Sequence, residues 1–406
     1  MRLSYLSLTH FRNYAQEEVR PAEGANLLLG DNAQGKSNLL EAIVCLSTTR
    51  SYRTSVDRNL INHAFLDEPI PYARVTAHLE SGPVRLVELV ITLEREMEML
   101  RSRKHLRLDG VPHRLLDALG SLPTVLFTPD DVSLVSGPPA DRRRYLDVLL
   151  CQASRPYCRS LSLYNRSLLQ RNHLLRLIRH RRSDPEQLHY WDQLLAEHGA
   201  VITSTRQRAL EFIAEAAAAI HAGLAVGEGL GISYRPGIEP ELACAEVGAL
   251  AQGMLSLYLA SHRADIERGV TAWGPHRDDI SITLGQEEAG VFGSRGQMRT
   301  IALSLRLVEA EYLARELGRR PVLLFDDVMS ELDSKRRRAL ESAMLDSSQS
   351  FVTDLDETPF SPRFIAKARL FRVAAGTIRA VTPPESGGDW ACPAGGDIEA
   401  ESAPPF

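Results

Sequence analysis

The chain has 406 residues, 44% hydrophobic and 24% charged, with a formal net charge of −5. This is an ordinary composition for a water-soluble globular protein with room for two domains, and it excludes a uniformly basic nucleic-acid binder. No apolar run approaches the roughly 18–20 residues that span a bilayer, so no membrane role is expected.

The start, Met-Arg-Leu-Ser-Tyr-Leu, does not read as a signal peptide. Cys45, Cys151, Cys158, Cys244 and Cys392 lack metal spacing and fit free thiols in a reducing cytoplasm. The first informative element is the apolar run Asn26-Leu27-Leu28-Leu29, which reads as a buried strand. It runs into Gly30-Asp31-Asn32-Ala33-Gln34-Gly35-Lys36-Ser37, and then into Asn38-Leu39-Leu40-Glu41-Ala42-Ile43, which has helical spacing. Strand, G-x-x-x-x-G-K-[ST] loop and helix make a phosphate loop; both flanks disfavour a chance glycine turn. Backbone N–H groups of such a loop point at phosphate, and the helix start adds the positive end of its dipole. Lys36 would reach the β- and γ-phosphates, and Ser37 would offer its hydroxyl to Mg²⁺. The expected cofactors are ATP and Mg²⁺.

Val75–Leu79 and Leu86–Leu93 read as strands. From about 115 the pattern turns helical. Leu161, Tyr164, Leu168, Leu175 and Ile178 mark one helix, and Ile202, Ala209, Leu210, Ile213, Ala217, Ile220 and Leu224 mark another. Between them Ser183 and Glu186 have capping-box spacing, with Pro185 in the first turn. The two helices should form a short antiparallel hairpin. Asp279–Leu284 alternates like a half-buried strand. Phe292-Gly293-Ser294-Arg295-Gly296-Gln297 opens a helix with apolar Ile301, Leu305, Val308 and Tyr312, ended by Gly318. A plain Ser/Gly cap would look the same, but a hydroxyl, flexible N–H groups and a helix start also make an anion site.

Pro321-Val322-Leu323-Leu324-Phe325-Asp326-Asp327 is an apolar strand ending in two carboxylates. A surface strand end could look alike, yet beside a phosphate loop it reads as a Walker B element. Asp326 would hold Mg²⁺ and Asp327 would orient water as base. From 381 to 406 the chain is rich in Pro, Gly and Glu and is expected to be disordered. Arg142, Arg143, Arg179 and Arg182 are DNA candidates on charge alone.

The order of phosphate loop, Ser-x-Gly-Gln helix, Walker B and Ser330-Glu331-Leu332-Asp333 resembles ABC-type ATPase heads of the SMC and RecF kind. Further residues narrow the resemblance to the RecF family of bacterial replication and recombinational repair proteins: Phe11-Arg12-Asn13-Tyr14, Arg50-Ser51-Tyr52-Arg53, Phe127-Thr128-Pro129-Asp130-Asp131, Gly137-Pro138 and Gly274-Pro275-His276-Arg277-Asp278-Asp279. The resemblance implies an α/β fold: a P-loop head with a mixed sheet and flanking helices, from 1–115 and 270–380, and an inserted, mainly helical lobe, 116–269. It implies a head-to-tail homodimer formed on ATP, in which each phosphate loop meets the partner copy's Ser294, Gly296 and Gln297. It further implies binding to single-strand/double-strand junctions, RecR- and RecO-type partners, recombinase loading and SOS induction, with a weak, DNA-stimulated ATPase as off-switch.

Transporter ATPases carry a switch histidine after the next strand; here Thr353 is the expected γ-phosphate sensor. Asp130-Asp131 is expected at the lobe junction in place of a transporter glutamine. Arg12 could approach nucleotide or pair with a carboxylate, and His276 could contact nucleotide or DNA or be a hydrogen-bonded structural histidine. A P-loop phosphotransferase, a transporter ATPase subunit and a structural SMC-like clamp are the competing classes. The missing histidine and long insertion disfavour the transporter, and the short hairpin disfavours the clamp.

Overall fold

The computed structural model describes residues 1–96 and 99–381. Strands β1 (Arg2–Phe11) and β2 (Tyr14–Val19) form a hairpin, and β3 (Gly24–Leu29) runs into the phosphate loop and helix α1 (Lys36–Thr48). The next strands are β4 (Tyr72–Glu80), β5 (Leu86–Glu96), β6 (Met99–Leu108) and β7 (Val111–His113). With the hairpin they form an antiparallel sheet of order β2-β1-β4-β5-β6-β7. In β4, Ala73, Val75, Ala77 and Leu79 are buried while Arg74 and His78 face water, the alternation of a sheet covered on one side.

After β8 (Thr124–Phe127) come helices α2 (Pro139–Ala153), α3 (Arg155–Arg179) and α4 (Leu188–Leu224). Then follow β9 (Leu230–Arg235), α5 (Val247–Arg268), β10 (Asp279–Leu284) and β11 (Glu287–Glu288). The chain closes with α6 (Arg295–Leu317), β12 (Val322–Asp326), α7 (Ser334–Asp346), β13 (Gln349–Asp354), β14 (Arg369–Ala374) and β15 (Thr377–Ala380).

The second sheet has the order β15-β14-β3-β13-β12-β8, parallel except for the β14–β15 pair. Its strands are apolar on both faces because both faces are covered. Leu27, Leu29, Leu323, Phe325 and Val352 enter the core shared with α6 and the helical region. Leu28, Val322, Leu324 and Phe351 enter the core shared with α1 and the antiparallel sheet. Gln349 joins the sheets: its side chain accepts from the Leu3 N–H at 2.7 Å and donates to the Leu3 carbonyl at 2.9 Å.

Two local expectations are revised and one is met. Thr124–Phe127, within the stretch read as helical, is an edge strand of the parallel sheet, with Phe127 stacked on Phe325 at 4.2 Å between ring centres. The strand Asp279–Leu284 forms as expected and pairs with β9 and β11 in a third, small sheet. At the hairpin turn the cap is Asp184, which accepts from the Glu186 N–H at 2.9 Å, while Ser183 bonds to Gln187. Pro185 at the first helical position makes the residue directly before it the cap. Helices α3 and α4 lie antiparallel: the side chain of Arg206 donates to Tyr157 at 3.0 Å and that of Arg171 to Asp192 at 2.8 Å.

Candidate functional site

Parallel strands place their C-terminal ends, and the loops that follow, along one edge of the sheet. On that edge β3 delivers the phosphate loop, and its neighbours β13 and β12 deliver Thr353-Asp354 and Asp326-Asp327. Thus the 290 residues separating Lys36 from Asp326 in sequence collapse to two strand positions.

The loop is braced from outside. Tyr14 donates to the Gly35 carbonyl at 2.9 Å, and the Asn13 side chain donates to the Gln34 carbonyl at 2.8 Å. The backbone N–H groups of Ala375 and Gly376 donate to Gln34 at 2.6 and 3.1 Å. Gly30 packs so tightly on the Val373 carbonyl that a Cβ there would overlap it, and Gly35 has φ 123°, a left-handed value that favours glycine. Asp31, Asn32 and Ala33 form the exposed lip, while Lys36 is buried with its ammonium donating to the carbonyls of Gly30 and, at 3.1 Å, Asp31. Asn38, in the first turn of α1, bonds to Asn13 at 2.8 Å and accepts from Arg53 at 2.7 Å.

The carboxylates across the cleft are individually positioned. Tyr52 donates to Asp326 at 2.7 Å and also reaches the Ser37 carbonyl at 3.4 Å, so one phenol bridges the two residues expected at Mg²⁺. Asp327 sits at φ 51°, a strained value for aspartate. Burial and the neighbouring Asp326 charge push its carboxyl above the ordinary aspartate range, against the opposing pull of Lys36 and Thr353. Thr353 lies beneath this pair, fully buried. Its hydroxyl accepts from the Asp327 N–H at 3.0 Å and donates to Asp326 at 3.1 Å, so the residue expected as a γ-phosphate sensor braces both carboxylates from below. The adjacent Asp354 is almost completely buried, with one carboxylate oxygen accepting from Leu355 N–H at 2.8 Å and the other unpartnered.

Two of the open assignments resolve. Arg12 makes a two-pronged ion pair with buried Glu41, at 2.7 and 2.8 Å, and so holds α1. His276 bonds Tyr164 at 2.7 Å and the Thr271 carbonyl at 3.1 Å, and burial pushes its imidazole down to about 4. Of the DNA candidates, Arg142 is paired with Asp279 at 2.7 and 3.0 Å, and Arg143 donates to the Asp278 carbonyl at 2.7 Å. Arg179 and Arg182 remain exposed.

Ser294 caps α6 as its spacing predicts: its hydroxyl accepts from the Gln297 N–H at 3.2 Å, and Gln297 accepts from the Ser294 N–H at 2.8 Å. Gln297 also donates to Glu228 at 3.1 Å, and Glu228 stands 3.4 Å from His221 of α4. Among the described residues no hydrogen bond or ion pair joins Ser294–Gln297 to the phosphate loop. Ser294 and Arg295 face solvent, and the space around Gly296 is open. Asp131, beyond β8, pairs with Arg306 of α6 at 2.7 Å, so the Asp130-Asp131 turn does link the sheet to the Ser294 helix.

Tyr52, Asp354 and Glu228 had no assigned part in the sequence. Tyr52 alone carried a signal, as a member of the Arg50-Ser51-Tyr52-Arg53 motif.

A phosphate loop and a Walker B pair on parallel strands of one mixed sheet, with a Ser-Gly-Gln helix start, define an ABC-type ATPase head with an inserted helical region. Residues 2–375 match the model of the RecF/RecN/SMC N terminal domain. An Smc head domain derived from Pyrococcus furiosus shares this fold at 17% identity, with a TM-score of 0.51 over 93% of this chain and 95% of that one. The chain belongs to the RecF family. It is 42% identical to the DNA replication and repair protein RecF of Chloroflexus aggregans, over 93% of this chain and 99% of that protein. It is 37% identical to the RecF of Geobacillus kaustophilus, over 94% of this chain and 100% of that protein. The solved structure of the recombination mediator protein RecF-ATP of the RecFOR pathway aligns with a TM-score of 0.81 at 31% identity, covering 94% of this chain and 97% of that one.

Proposed function

We propose that this protein is an ATP-gated DNA-binding switch of replication and recombinational repair. The observation that carries the reading is the divided site. The phosphate loop and the Ser294 helix start both have the makings of anion sites, yet among the described residues no hydrogen bond or ion pair joins them. Two copies facing head to tail would bring them together, with ATP between the loop of one and Ser294, Gly296 and Gln297 of the other. Helix starts on both sides can share the γ-phosphate charge, and hydrolysis removes that bridge.

Within each half-site Lys36 would neutralise the β- and γ-phosphates. Ser37 and Asp326, already bridged by Tyr52, fit a hard, oxygen-liganded ion. They would hold Mg²⁺, which supplies further charge neutralisation. Asp327 would orient the attacking water; its side chain is one methylene shorter than the usual glutamate, which suits slow turnover and a timer rather than a motor. The names of the relatives support DNA replication and repair as the setting, with RecR- and RecO-type proteins as partners. Binding to gapped, junction-containing DNA, recombinase loading and SOS induction follow from that family role. No observation favours a phosphotransferase or a transporter subunit.

A gel shift with gapped DNA tests the reading. Binding should be strong with ATP and Mg²⁺, weak with ADP, and lost in Lys36→Ala; equal binding in all nucleotide states would overturn it.

A further inference from the structure

Beside the end of α5 lies an open groove of about 470 Å³ whose lining includes Ile238, Arg268, Trp273 and Arg277. Trp273 is 38% exposed and nearby Val270 40% exposed, while Arg268 and Arg277 face solvent. A single exposed apolar residue is unremarkable in itself. Here the indole shares the groove lining with two arginines, Arg268 and Arg277. Arg268 has no ion-pair partner among the described residues, and Arg277 makes only a 3.4 Å bond to the Thr271 carbonyl. The nearest exposed acid in sequence, Glu267, is taken up by Arg263 at 3.4 Å.

Two more arginines of the hairpin lie beside the end of α5. Gly269, at φ 73°, ends α5, and a Cβ there would lie 3.1 Å from Arg176 and 3.9 Å from an Arg179 nitrogen. The missing side chain lets the end of α3 lie against the end of α5, which brings Arg176 and Arg179 beside Gly269, the residue after Arg268. The floor is rigid: the Gly237 N–H donates to Asp278 at 2.7 Å, and the Gly274 N–H donates to the Gly237 carbonyl at 2.9 Å. Asp278 is in turn locked to buried Arg206.

We infer that this groove binds a single-stranded segment of DNA, with a base stacked on Trp273 and phosphates along Arg268, Arg277, Arg176 and Arg179. An aromatic face in a groove with guanidinium groups is the chemistry of sequence-tolerant single-strand binding. Duplex DNA keeps its base faces stacked on one another, so phosphate contacts to a duplex would use the arginines and leave the indole idle. The inference rests on the DNA-binding reading and gives it a place: the single-stranded side of a gap would lie on the helical region, near the outer end of the hairpin.

The test uses the full chain with Trp191 and Trp390 replaced by Phe, so that Trp273 is the sole tryptophan. A thymidine oligonucleotide should quench its fluorescence. Trp273→Ala should weaken binding to the oligonucleotide and to gapped DNA about five- to tenfold, the loss of one stacked base. Trp273→Phe should restore most of it, and binding to blunt duplex and to ATP should stay unchanged. Arg268→Ala with Arg277→Ala should lower the salt slope for the oligonucleotide by about one to two. Unquenched fluorescence together with wild-type gapped-DNA affinity in Trp273→Ala would overturn the inference while leaving the switch intact. So would a Trp273→Ala variant that binds DNA normally but loses a protein partner. Failure of the unmodified protein to bind gapped DNA at all would instead count against the proposed function.

Discussion

Tyr52 shows how one side chain can organise the cation side of the pocket. Its hydroxyl orients Asp326 and spans toward Ser37 without contributing charge. Groups that orient metal ligands from outside typically contribute about 10- to 100-fold in metal affinity. Tyr52→Phe should therefore weaken Mg·ATP binding about tenfold and leave ATP binding in chelator unchanged, as read by titration calorimetry; equal losses in both conditions would refute the assignment. For Asp327 the expected effect falls on turnover. Asp327→Asn should slow hydrolysis about 100-fold or more, the usual contribution of a general base, and lengthen the lifetime of the ATP-bound dimer. Because the Asp327 carboxyl is raised, the wild-type rate should fall with acid at a pH above the ordinary aspartate range, and the variant should lack that limb. The phosphate loop was legible residue by residue because backbone geometry alone dictates its glycines. Tyr52, Thr353 and Asp354 were not: their parts depend on which strand lies beside which, and β13 enters between β3 and β12 only in three dimensions.

At the scale of elements, the segment Gly274–Asp279 acts as a fastener. Asp278 accepts from Arg206 at 2.6 Å, Asp279 from Arg142, and His276 from or to Tyr164, tying α2, α3 and α4 to β10. The imidazole is neutral when folded, with a value of about 4, whereas in the unfolded chain it takes up a proton near 6.5. The unfolded state then binds more protons between those limits, so stability falls as pH drops from 6.5 toward 4, by on the order of 3 kcal/mol. Urea unfolding should show this loss, and His276→Gln should flatten it; an unchanged pH slope in the variant would contradict the assignment. Apolar spacing predicted the hairpin and the Ser294 helix because each buries a stripe along its own length. Spacing could not assign β8 or β10 to their sheets, since a short apolar strand carries no label for its neighbours.

For the whole molecule, no hydrogen bond or ion pair among the described residues joins the phosphate loop to the Ser294 helix start, and the proposed function fills that division with a second copy. Asp131–Arg306 and Gln297–Glu228 fix the Ser294 helix to the sheet on one side and to the hairpin on the other. Closure of two heads on ATP would thus bear directly on the helical regions that carry the proposed DNA groove. The most direct measurement is sedimentation velocity with Mg²⁺ and ATP, against ADP, for the wild type, Ser294→Arg and Lys36→Ala. The account predicts dimers for the wild type in ATP alone. Each variant should remain monomeric by itself, and an equimolar mixture should form a dimer with one complete pocket. A wild type that stays monomeric with ATP, or a Ser294→Arg variant that dimerises as well as the wild type, would contradict it.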